Sequence, residues 1–224
     1  MKQLLTILLA IAFLTAGAYQ LHAQETSSNP ISIGFEGGLS IANATLSPDV
    51  AAPASKSSRT GLVAGGLAEF GVASGFFISA EVLYLQGGVK VTDPNGNALG
   101  FVGDATLKFD FISIPISAKY KFPIEGSTVK PFIFGGANVG FNMKAEAEAT
   151  SGGQTFTVDI KNSTESVDFG LQVGGGIEFE ASHGINVVLG GRYQLGLKDL
   201  DKSAGSEAKS QNILITAGLS FQVN

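Results

Sequence analysis

Six ionisable side chains, Glu36, Glu69, Glu81, Lys119, Glu178 and Arg192, sit in segments that otherwise alternate between large apolar and small or polar residues. Carboxylates set among a lysine and an arginine can pass protons, line a path for a polar solute, or neutralise one another. In a confined interior each charge needs a partner or water, because desolvating a lone ion is expensive. Arg192 is therefore expected to bridge to Glu81 or Glu36, and Lys119 to pair with Glu69 or Glu178. A polar plug is the first reading of this set, and a proton or solute path the second.

Other chemistries find little support. The 224 residues include no cysteine and two histidines, of which only His183, in the turn Ser182-His183-Gly184, lies beyond the leader described below. A Ser-His-Asp triad, a multi-histidine metal site and a thiolate metal site all lack their residues. No nucleophile stands beside a base, so the chain reads as a non-enzyme with no catalytic residue, metal ligand or cofactor. The glycine-rich runs at 135–140 and 174–176 lack the following helix and the Lys-Ser/Thr pair of a phosphate loop. Asp93-Pro94-Asn95-Gly96-Asn97 reads as a tight turn in preference to a calcium loop. A net charge of −5 argues against nucleic acid as a partner.

Only 15% of the residues are charged and the mean hydropathy is +0.26, which raises the question of a membrane. Residues 1–23 have the form of a secretory signal peptide: Lys2, an apolar run over 4–14, and a small residue at Ala23 for the cut. That leaves 24–224 as one domain. Beyond the leader, the longest stretch without Asp, Glu, Lys or Arg is 210–224, too short and too polar for a helical span. A bilayer-spanning chain of this kind must close a barrel, since lipid offers no partner to an open sheet edge.

The elements that would position the charges have period two. In the last segment Ile213, Ile215, Ala217, Leu219, Phe221 and Val223 share one face, with Asn212, Leu214, Thr216, Gly218, Ser220 and Gln222 on the other, small or polar apart from Leu214. Seven more segments follow this alternation, at 31–41, 60–71, 76–87, 108–122, 131–143, 167–179 and 185–197. Connections alternate between long, at 42–59, 88–106, 144–166 and 198–210, and short, at 71–75, 123–130 and 180–184. This is the pattern of an all-β, eight-stranded, antiparallel up-and-down transmembrane barrel with both termini in the periplasm. Its apolar face meets lipid, and glycine on the polar face suits a narrow interior. Tyr84, Tyr120, Phe122, Phe179 and Tyr193 on the apolar face are expected at the membrane interfaces. Counting along the strands puts Glu36, Glu81 and Arg192 near mid-height and Glu69, Lys119 and Glu178 near the periplasmic end. Pro115, inside a strand, predicts a bulge or kink nearby.

Several short runs occur in a telling order: GLVAGGLAEF at 61–70, AEVLY at 80–84, FISIPI at 111–116, KPF at 130–132, GGGIEF at 174–179 and RYQLG at 192–196. Together they resemble the PorT-like outer-membrane β-barrel family of Bacteroidetes, over about residues 31–223. The resemblance implies an eight-stranded barrel in the outer membrane, usually without an assigned molecular role. One departure is the C-terminus, where Phe221 is followed by Gln222-Val223-Asn224 instead of ending the chain on an aromatic residue.

Function is then expected in the outer loops. Outer-membrane lipid is one partner, and an extracellular or envelope protein the other. A narrow solute channel and a secreted lipocalin-like lipid carrier are the alternatives; the carrier needs the apolar face turned inward.

Overall fold

Alternating side chains make a strand with two unlike faces, and eight such strands can satisfy every backbone group only by closing on themselves. A computed structural model describes residues 30–47, 53–97, 100–199 and 207–223. The leader predicted at 1–23 lies outside the described residues. Nine strands follow in order: β1 (Ile31–Ser47), β2 (Ser55–Ala73), β3 (Phe76–Asp93), β4 (Gly103–Lys121), β5 (Val129–Ser151), β6 (Gln154–Asp159), β7 (Val167–Ser182), β8 (Ile185–Gly196) and β9 (Glu207–Val223). Each of the eight segments read from alternation falls in one of them, with 108–122 and 185–197 running one residue past the ends of β4 and β8. The ninth, β6, pairs only with the end of β5 and stands outside the ring.

The ring closes through β1–β9 and β4–β5, and every pairing is antiparallel. Its stagger can be read from the registers. Starting at Ile31, partners run through Phe70, Ile78, Ala118, Gly135, Val173, Tyr193 and Ile213, and return to β1 at Ile41, ten residues along. Eight strands with that stagger tilt by about 40° and enclose a backbone radius of about 8 Å, enough for packed side chains and no more.

Orientation follows the sequence pattern. On β1, Ile33, Phe35, Leu39 and Ile41 are exposed while Ser32, Glu36, Ser40 and Ala42 are buried. On β9, Ile213 and Ile215 are exposed while Asn212, Leu214, Thr216 and Ser220 are buried. The apolar face points outward all round, the reverse of what a lipid carrier needs. Short connections and both ends of the ring lie at one rim. The tightest turns there place Gly75 and Gly184 at φ 76°, a backbone conformation that costs glycine nothing.

Three expectations are corrected. Much of the predicted loops at 42–59, 88–106, 144–166 and 198–210 is strand: β3 and β4 stay paired to Asp93 and Gly103, and β5 folds back on β6. Polar, alternating residues beyond the lipid can still complete a ladder, and their lack of apolar contrast hides it. Pro115 causes no bulge; pairing between β3 and β4 lapses over Glu81–Val82 and Ile114–Pro115, and resumes in the same register. A missing N–H removes a bond without adding a residue. The nearest bulge is at Met143, the extra residue where Asp110 faces Lys144 and Phe111 faces Asn142. Finally, the interior is not polar throughout, as described next.

Candidate functional site

The inward residues form tiers. Near the short-turn rim, alternation brings Glu69 of β2, Lys119 and Lys121 of β4, and Glu178 of β7 to the interior, all buried. The Lys119 ammonium donates to Glu69 Oε1. Lys121 Nζ lies 2.6 Å from Glu69 Oε2 and 2.6 Å from Glu178 Oε2. Lys119 also stands 4.6 Å from the Phe132 ring centroid, and Lys121 4.5 Å from that of Phe77. Two cations and two carboxylates balance. Sequence reasoning missed Lys121, although it has the same parity as Lys119 and so the same face. Glu178 is held by Lys121, and Lys119 by Glu69.

Half-way up, Arg192 reaches across from β8. Its NH2 lies 2.6 Å from Glu36 Oε1 on β1, and its NH1 donates to Glu81 Oε2 on β3. Thr216 Oγ1 donates to Glu36 Oε2 at 3.0 Å. The guanidinium lies 5.3 Å from the Phe134 ring centroid. A planar, permanently charged fork suits this double engagement better than an ammonium would. The rings themselves need room on the facing strand. Phe134 and Phe132 are paired with Gly174 and Gly176. A Cβ at Gly174 would sit 2.5 Å from Phe134 Cζ, and one at Gly176 2.7 Å from Phe132 Cζ.

Above Arg192 a chain of amides crosses the interior. Gln194 Nε2 donates to Gln172 Oε1 at 3.0 Å, and Gln172 Nε2 to Ser117 Oγ at 2.7 Å. Alongside it the filling turns apolar: Val63, Leu83, Leu85, Phe109, Phe111 and Leu214 form one buried cluster, with Ile160 packed on it from the segment after β6. Leu214 is the one apolar residue that the sequence pattern put on the inner face; the others occupy inward positions that the expectation of a polar interior left to small or hydrophilic residues. A tube of this radius must be filled by volume wherever no charge network does so.

On the outside, Tyr120 and Phe122 meet edge to face at 4.8 Å beside Phe76, close to the short-turn rim, where Phe179 also lies on the outer face. Tyr84 and Tyr193 face outward toward the other rim, and Tyr84 OH donates to Asp110 Oδ2 at 2.7 Å. The distance from Ile31 to Ile41 along a tilted strand rises about 25 Å, the height of an outer-membrane apolar band. Among the described residues no helix is long and apolar enough to cross a membrane, and no three His, Cys, Asp or Glu side chains converge as metal ligands. Chemically the arrangement holds charges against one another across a narrow tube.

The profile of the outer membrane protein beta-barrel domain family matches residues 22–202; the match bears out the outer-membrane β-barrel resemblance and does not extend to its PorT-like detail. Among solved structures, the chain is similar to the outer membrane protein OprG from Pseudomonas aeruginosa, at 12% identity and a TM-score of 0.51, covering 88% of this chain and 97% of that one. It is also similar to Neisserial surface protein A, at 18% identity and a TM-score of 0.46, covering 86% and 97%. No curated protein compared with the chain matches it significantly. At such identities the OprG likeness speaks for the fold alone.

Proposed function

The chain belongs to the outer membrane protein beta-barrel domain family, and from that membership we propose a barrel sealed through its middle that acts through what it raises beyond the outer leaflet. Its lipid partner is the outer membrane in which the family resides. The observation that carries the sealed reading is Arg192 held between Glu36 and Glu81, with a balanced Lys–Glu tier beneath and an apolar tier above. Breaking a buried pair by removing one partner is strongly destabilising, so such tiers serve as fixed cross-braces. The outer ends of β3 to β6 and their connections then carry contact with an extracellular or envelope protein.

Planar-bilayer recording of the purified, refolded chain tests the seal. Quiet membranes are expected, and reproducible single-channel steps would favour the solute-channel reading instead. For the partner, surface cross-linking on whole cells compares the native chain with one in which residues 144–160 are replaced by a short turn. Loss of a specific adduct with retained barrel folding is the expected result; an unchanged adduct pattern removes this hairpin from the interaction.

A further inference from the structure

We propose that the outer half of the interior contains a binding site for a monovalent metal cation of sodium's size, built by Asp168, Asn138, Gln194 and Ser113. This inference is independent of the role given to the outer strands. The four residues line a cavity of about 20 Å³ beside Leu85 and Phe111, which holds a single water-sized occupant. Four oxygens there have no hydrogen-bond partner: Asp168 Oδ1, Asn138 Oδ1, Gln194 Oε1 and Ser113 Oγ. Asp168, Gln194 and Ser113 are 5%, 2% and 1% exposed, so bulk water does not solvate them.

The direction of the neighbouring bonds explains why oxygens face the space. Gln194 spends its Nε2 on Gln172, which spends its own on Ser117, and this leaves the Gln194 carbonyl toward the cavity. Asp168 Oδ2 already accepts from Ser210 Oγ at 2.7 Å, leaving Oδ1 open. Two glycines keep the cradle clear. A Cβ at Gly170 would stand 2.5 Å from Asn138 Oδ1, and one at Gly196 2.8 Å from Asp168 Oδ2.

Charge selects the class of ligand. No basic side chain lines the cavity; the backbone N–H groups of Phe169 and Lys198 reach the Asp168 carboxylate, but the Lys198 ammonium is engaged by Glu165 at 2.9 Å. One carboxylate, two amide carbonyls and a hydroxyl offer hard oxygen ligands with a single negative charge. A monovalent ion neutralises that charge, whereas a divalent ion leaves a surplus positive charge in a buried place.

The test is thermal unfolding of the purified whole chain in detergent, in sodium chloride against tetramethylammonium chloride at equal ionic strength. Sodium is expected to raise Tm in proportion to the logarithm of its concentration above Kd, by about 3–6 °C at roughly ten times its Kd. Asp168→Asn should abolish the difference, Asn138→Ala should weaken it, and Glu148→Gln, outside the cavity and paired with Lys108, should keep it. If Asp168→Asn does not fold, the Asn138→Ala result decides. Equal Tm in the two salts for the native chain, or a sodium effect that survives both cavity variants, overturns the proposal and leaves the space to a water molecule.

Discussion

Arg192 and Glu36 are separated by 156 residues and two strand boundaries, yet their side chains meet at 2.6 Å in the middle of the barrel. Strand β9 lies between their strands in the ring, so the bond spans the interior instead of following the sheet. Glu81 completes the bridge from a third strand, and the chain is thereby braced on β1, β3 and β8 at one height.

Arg192→Leu leaves two buried carboxylates facing each other without a counter-charge. The expected loss is about 3–5 kcal/mol, read as a lower unfolding temperature in detergent by a heat-shift gel. Replacing Glu36 and Glu81 together with Arg192 by apolar residues of similar size should recover most of it. A melt of Arg192→Leu that matches the native chain would refute the brace.

Lys121→Met removes the cation shared by Glu69 and Glu178, while Glu69 keeps Lys119. Combined with Glu178→Gln in a double-mutant cycle, the pair should show a coupling of about 0.5–3 kcal/mol. Additive effects of the two substitutions would mean that Lys121 and Glu178 do not share energy.

Gly174→Ala sets a methyl 2.5 Å from both the Gly191 carbonyl oxygen and the Phe134 ring that underlies Arg192. Overpacking of this kind costs about 1–3 kcal/mol, and Phe134→Leu in the same chain should restore part of the stability by freeing the space. Chemical denaturation in lipid vesicles measures both; a neutral Gly174→Ala argues that both the ring and the Gly191 backbone give way.

Beyond the membrane, Lys90 lies 2.8 Å from Asp104 and Thr92 donates to it at 2.7 Å, and these bonds hold its carboxyl below the ordinary aspartate value. A depressed carboxyl contributes its stability above the unfolded value and loses it as pH falls through the folded one. The β3–β4 tip should therefore loosen only in acid below the ordinary aspartate range. NMR titration of Asp104 reads this directly, and Lys90→Met should move its midpoint upward; an unmoved midpoint assigns the shift elsewhere.

The candidate site was legible to unequal degrees. Glu36, Glu69, Glu81, Lys119, Glu178 and Arg192 are inward because parity alone sets the face of a strand residue. Lys121 obeys the same parity and lies inside the strand read at 108–122, but it stands at the end of β4 and was not singled out with Lys119. Phe132, Phe134, Leu83 and Phe111 are also inward by parity, and their bulk is at odds with a face read as polar from its glycines. β6 could not be read because Gln154–Asp159 is exposed along its whole length, so neither face is marked by burial.

The local part of this protein was written in its residue order. Alternation decides which atoms look at lipid and which look inward, since successive Cβ atoms must point to opposite faces. Turn residues then decide where the chain reverses. Which inward charges touch was left to closure of the ring. The registers of β8 on β9, β9 on β1, β1 on β2 and β2 on β3 together bring β8 level with β1 and β3, and closure folds them across the interior, so Arg192 finds both carboxylates by a geometry that no single segment contains.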